Sequence, residues 1–174
     1  MAKKIFITGG CRSGKSRHAL TLAHRVAGEK MYVATAEALD SEMGDRITRH
    51  QQERGEGWQT FEEPRELSKV FKQLDDRVGV LILDCLTLWV SNWLMQDCTQ
   101  EFIMDEARRL MDQCEKMQCQ IIIVTNEVGA GIVPENKLAR DFRDIVGEVN
   151  QLVATRCEEV IHMVSGIPAV LKST

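Results

Sequence analysis

Short, nearly continuous apolar runs alternate along this chain with longer amphipathic stretches. Residues 5–8, 31–34, 80–84, 121–125 and 160–165 read as strands buried on both faces, the signature of a parallel sheet. Between them lie helical patterns. The spacing predicts a helix from Ser16 to about Ala27. A second, over 102–117, carries Phe102, Ala107, Leu110, Met111, Cys114 and Met117 on one face. A third, over 137–153, does so with Leu138, Phe142, Ile145, Val149 and Val153. This alternation predicts an α/β domain with a mostly parallel sheet flanked by helices. Three prolines, no low-complexity linker and no repeat make residues 1–174 one domain. Residues 37–64 interrupt the rhythm. Asp40-Ser41 can cap a helix running through Gln51 or Glu53, whose apolar residues are few: Leu39, Met43 and Ile47. Such a polar helix is a surface element or part of a functional cleft.

The first apolar run leads directly into Gly9-Gly10-Cys11-Arg12-Ser13-Gly14-Lys15-Ser16, which matches G-x-x-x-x-G-K-[ST] at every fixed position. Its glycines let backbone N–H groups turn inward on a polyphosphate, and the helix behind adds its positive end. Lys15 can reach the β- and γ-phosphates, and the Ser16 hydroxyl can help hold Mg²⁺. The pattern predicts a P-loop NTPase that binds a nucleoside triphosphate.

Ligands of an open parallel sheet bind at the carboxyl ends of its strands. Thr35, Asp84 and Thr125 are expected on that rim with residues 9–16. Asp84, ending an apolar strand, either serves Mg²⁺ or caps the helix that follows. The stretch from Thr125 to Asn136 (TNEVGAGIVPEN) is a glycine-rich loop at the same rim, either a nucleotide-facing or a structural one. No N-K-x-D guanine-reading signature occurs. Among the histidines, His162 reads as structural within an apolar run. His18 and His24 lie on the first helix. His50 differs: it stands on the polar insertion among Arg46, Arg49 and Arg54, side chains that favour phosphate. A largely neutral imidazole can attack phosphorus, so His50 is either a nucleophile or a solvated helix residue.

Composition narrows the field. Hydrophobic residues make up 44% and charged ones 28%, as in ordinary globular proteins. A net charge of −4 and the absence of a long Lys/Arg run point away from nucleic acid as the main partner. No stretch reads as a signal peptide or a membrane span, so a cytoplasmic location is expected. Six cysteines without a C-x-x-C pair read as reduced core or loop thiols.

Several segments together carry a resemblance. They are residues 9–19, Tyr32-Val33-Ala34-Thr35-Ala36, Arg46-Ile47 through His50 and Arg54 to Trp58-Gln59-Thr60, Glu62-Glu63-Pro64, Asp84-Cys85-Leu86-Thr87, Val124 to Asn136 with its continuation to Gln151, and Val164-Ser165-Gly166-Ile167-Pro168. Nearly end to end, the chain resembles the bifunctional adenosylcobinamide kinase / adenosylcobinamide-phosphate guanylyltransferase family of cobalamin synthesis. Cys11 departs from it, filling a loop position often held by a small residue.

The resemblance implies two reactions. ATP or GTP phosphorylates the aminopropanol hydroxyl of adenosylcobinamide. GTP then gives GMP to a histidine, matched by His50, releasing pyrophosphate, and the phosphorylated corrinoid takes up the GMP as adenosylcobinamide-GDP. It further implies that Gly9, Gly10, Cys11, Arg12, Ser13, Gly14, Lys15 and Ser16 cradle the triphosphate, with Lys15 catalytic and Ser16 and Asp84 serving Mg²⁺. Thr35, Ala36 and Glu37 line the nucleotide cleft. Gln51, Gln52, Glu53 and Arg54 meet GTP, and Glu62 reads the guanine or ribose. A RecA-like core and a homotrimer are also implied. Two other readings remain on the sequence: a simple small-molecule kinase in which His50 is dispensable, and a nucleotide-dependent binding protein or switch.

Overall fold

The structure, a computed structural model, describes residues 2–37 and 41–174, with Glu42, Met43, Arg46, His50 and Glu53 described for their backbone alone. The expected cap at Asp40 and the apolar Leu39 therefore lie outside the described residues. Among the described residues seven strands form one sheet: β1 (Lys4–Gly9), β2 (Glu29–Ala34), β3 (Trp58–Glu62), β4 (Val78–Asp84), β5 (Gln120–Val124), β6 (Glu159–Val164) and β7 (Ile167–Ser173). Their order is β3-β2-β4-β5-β1-β6-β7, parallel except for β7, which returns antiparallel on β6. Six helices among the described residues complete the order: α1 (Lys15–Ala23), α2 (Ser41–Arg54), α3 (Leu67–Phe71), α4 (Leu86–Leu94), α5 (Gln100–Lys116) and α6 (Lys137–Arg156).

Alternation along the central strands builds two cores. Phe6, Leu81, Leu83, Ile121 and Ile123 face α3 to α6, packing on Leu67, Trp89, Ile103, Met111 and Val149. Ile5, Ile7, Tyr32, Val80, Ile82 and Val124 face the other way, onto Ala19, Leu20 and Ala23 of α1. Burial on both faces is why these strands read as unbroken apolar runs. At α5, Thr99 caps the helix by accepting from the Phe102 amide at 3.3 Å; Asn136 does the same for Ala139 at α6.

The differences from expectation have local causes. The first helix stops at Ala23, not Ala27, because Arg25 and Val26 donate to Leu22 and Ala23, tightening the last turn before Gly28 at φ 99°. Strand β3 joins the edge beside β2, where outward positions need not be apolar. Strand β7 closes on β6 through Ser165 and Gly166, both at positive φ (51° and 83°), a pairing that suits a two-residue hairpin turn. Pro168 is tolerated because β7 is an edge strand. On α6, Leu138 is 57% exposed rather than buried. The fully buried face of that helix begins only at Ile145, beyond Leu138.

Candidate active site

The connections leaving β1 and β5 depart to opposite faces, α1 covering one and α6 the other, which opens a crevice at the carboxyl rim between them. The loop 9–16 lies there. Gly9 has φ 149°, and a Cβ on it would stand 2.5 Å from the Met163 carbonyl oxygen and 2.8 Å from Ser13 Oγ, so glycine is required. Gly14, at φ 96°, turns the chain into α1. The loop is braced from outside. The Gly166 amide in the β6–β7 turn donates to the Ser13 carbonyl at 2.9 Å, and the Glu127 amide donates to Gly9 at 3.0 Å. Lys15, 6% exposed, folds over its own loop: Nζ donates to the Gly10 carbonyl at 2.5 Å and to Ser13 Oγ at 3.3 Å.

Asp84 ends β4, paired with Ala34 on one side and Val124 on the other. Its Oδ2 accepts from Ser16 Oγ at 3.3 Å and from the Tyr32 hydroxyl at 2.5 Å. Burial, then the neighbouring Asp84 charge, push the Tyr32 phenol well above its ordinary value, so it stays protonated and donates. The Arg54 guanidinium, at the end of α2, lies over the Tyr32 ring with Cζ 3.9 Å from its centre. Arg54 is 5% exposed, and its Nη1 has no hydrogen-bond partner among the described residues. Trp58 meets Tyr32 and His24 edge-on, at centroid distances of 6.2 and 6.0 Å.

A second network shapes the rim. Thr35 is fully buried; its hydroxyl donates to the Cys85 carbonyl and accepts from the Cys85 amide, each at 2.8 Å, holding the backbone just past Asp84. Asn92 of α4 donates to the carbonyls of Thr35 and Pro64, both at 2.8 Å. Thr125 pairs with Thr87 and donates to Asn150 Oδ1 at 3.0 Å, while the Asn126 amide donates to Thr87 at 2.8 Å. A phosphate loop, a rim carboxylate beside its serine, and hard oxygen donors form a site suited to a Mg²⁺-bound triphosphate.

The model of the family described as cobinamide kinase / cobinamide phosphate guanyltransferase matches residues 5–171. The chain belongs to this family. Family membership makes it an enzyme, a bifunctional transferase of the kinase and guanylyltransferase type. It is 39% identical to the bifunctional adenosylcobalamin biosynthesis protein CobU of Escherichia coli K12, over 97% of this chain and 99% of that one. It is 42% identical to the corresponding CobP of Pseudomonas aeruginosa, over 95% of each. Two solved structures share its fold at low identity. One is a prototypical ATPase from a bacterial type III secretion system (TM-score 0.52, 13% identity, 97% of this chain and 56% of that one). The other is the VirB11 ATPase of the Brucella suis type IV secretion system (TM-score 0.50, 12% identity, 98% and 47%). The fold is that of a RecA-like P-loop NTPase.

Within this family site, the structure brings together residues 9–16, Thr35, Asp84 and Arg54. Thr35 contributes through the turn it holds, since its hydroxyl is committed to Cys85. Ala36 and Glu37 continue from it, and Glu37 pairs with Arg65 at 3.2 Å. Gln51 and Gln52 are exposed on α2, and Glu62 is exposed at the end of β3, paired with Ala34. His50 lies on α2, one turn before Arg54; its side chain and that of Glu53 are outside the described residues. Trp58 is half-buried against Tyr32 and His24, and Trp89 is a core residue bonded to the Arg65 carbonyl at 2.7 Å. Tyr32, Asn92, Thr87 and Asn150 were missed by the motif reading. For Tyr32 a signal was present: a polar-tipped aromatic two residues before a strand's rim end.

Proposed function

We propose that this protein phosphorylates adenosylcobinamide and then guanylylates the product to adenosylcobinamide-GDP. In the first step the aminopropanol hydroxyl attacks the γ-phosphorus of ATP or GTP; a new O–P bond forms, the bond to the nucleoside diphosphate breaks, and the hydroxyl proton is lost. Residues 9–16 hold the triphosphate, with Lys15 leaving the Gly10 carbonyl to meet the β- and γ-phosphates. Ser16 and Asp84 would hold Mg²⁺, which supplies charge neutralisation at the phosphates.

In the second step an imidazole nitrogen of His50 attacks the α-phosphorus of GTP and pyrophosphate leaves. A phosphate oxygen of the corrinoid then attacks the same phosphorus, and the P–N bond to His50 breaks. Arg54, with a buried N–H lacking a partner among the described residues, suits a phosphate clamp one turn from His50. Glu62 can accept from guanine N1–H and the exocyclic amine. The enzyme is expected to assemble as a homotrimer and to work in the cytoplasm; among the described residues no helix is long and apolar enough to cross a membrane.

The family match across residues 5–171, falling on a phosphate loop with its rim carboxylate, carries this reading. Intact-mass spectrometry after incubation with Mg²⁺ and GTP tests it. A GMP-sized gain is expected in the wild type and absent in His50→Ala. No gain in a wild type that still binds GTP overturns the covalent step, and a gain that persists in the variant overturns the His50 assignment.

A further inference from the structure

We propose that Tyr32 is a positioning residue for the metal-site carboxylate: with Ser16 it fixes Asp84 Oδ2, and its ring ties that carboxylate to Arg54 at the end of α2. The inference rests on the reading of Ser16 and Asp84 as the Mg²⁺ site. The β2–β4 register sets Tyr32 opposite Ile82 and Ala34 opposite Asp84. Side chains two residues apart share a face, so Asp84 stands diagonally from Tyr32, about 7 Å along the strand. A tyrosine spans that gap with its hydroxyl, at 2.5 Å from Oδ2; a phenylalanine has nothing to offer there.

The bond is sheltered, since Tyr32 is 4% exposed, and it is charge-assisted. Two hydroxyls converging on Oδ2 occupy its lone pairs and stop the carboxylate from rotating, which leaves Oδ1 as the oxygen to meet a cation. The same ring is the shelf for Arg54, whose helix carries His50 one turn earlier. One side chain therefore touches the carboxylate that serves the phosphate loop and the helix that serves guanylyl transfer. Removing the hydroxyl alone separates these roles, because Tyr32→Phe keeps the shelf.

The test measures Mn²⁺ binding to the full-length protein by electron paramagnetic resonance with a non-hydrolysable GTP analogue. Tyr32→Phe is expected to weaken nucleotide-dependent Mn²⁺ binding about tenfold, while affinity for the analogue in EDTA stays within about twofold of wild type. Equal Mn²⁺ affinity in variant and wild type overturns the inference and leaves the metal site standing. A wild type with no nucleotide-dependent Mn²⁺ binding overturns both. A second measurement needs no substitution. Tyr32 is the chain's one tyrosine, so 3-fluorotyrosine labelling gives a single ¹⁹F resonance at this position. That resonance is expected to shift when Mg²⁺ is added to the analogue complex, and its failure to move overturns the inference.

Discussion

At the scale of single residues, the cysteines and the phosphate loop show what a sequence can carry. Cys85, Cys114, Cys119 and Cys157 are buried free thiols, as the apolar patterns around them imply, whereas Cys11 is exposed on the loop. Burial pushes all four buried thiols above their ordinary value, Cys157 up to about 12. A thiol raised in this way holds its proton in the folded state and loses it in the unfolded chain near pH 9. Its contribution is thus complete below that pH and is lost as pH climbs toward the folded value. Stability from urea unfolding in reductant should therefore fall between pH 8 and pH 10, by up to ~1.4 kcal/mol per pH unit for each thiol. Cys157→Ala should show a shallower fall than wild type, and identical slopes would refute the assignment. The phosphate loop was legible because Gly9, Gly14, Lys15 and Ser16 each have a local reason for their type. The pairing of Tyr32 was not, since its partner Asp84 lies 52 positions away and is set by strand register.

Elements follow the same division. Helices α5 and α6 were legible in outline because one face is buried along most of each. The polar helix α2 was also legible, running Ser41–Arg54 against an expected end at Gln51 or Glu53. Its burial of Arg54 was not, because an arginine at a helix end ordinarily reads as solvated. Strands β3 and β7 escaped because edge strands lack the second buried face that made β1, β4 and β5 conspicuous. The rim's polar network is an element-scale feature too. Asn150 on α6 accepts from Thr125 at the end of β5 and donates to the Asn126 carbonyl at 3.3 Å, and Thr125 pairs with Thr87 of α4. Asn150→Ala leaves the buried Thr87–Thr125 hydroxyl pair one acceptor short. It should cost about 1–3 kcal/mol in urea unfolding and also weaken GTP binding, because the Glu127 amide in the adjoining segment braces Gly9. A loss of stability with unchanged nucleotide affinity would show that the network supports the fold but not the loop.

For the whole molecule, closure of the sheet's edges is the remaining question. The interior strands are satisfied on both sides, but among the described residues β7 pairs with β6 alone and forms one edge of the sheet. On this hairpin, Ile167 and Leu171 are 70% and 67% exposed, with Val164 and Val170 above half. Apolar side chains grouped along an unpaired edge invite association, and proteins that persist with such edges commonly cover them. Identical chains cover them best through closed symmetry, which consumes every copy of the surface and stops growth. This hairpin is therefore the surface on which the homotrimer proposed above can be tested. Light scattering behind size exclusion should give about three times the chain mass at micromolar protein. Leu171→Lys, at a position where no core contact is lost, should lower that mass while the melting profile of the monomer fold persists. A wild type that remains monomeric would set aside the assembly itself. A trimer indifferent to Leu171→Lys would place its interface elsewhere and leave β7 as an edge protected by Pro168.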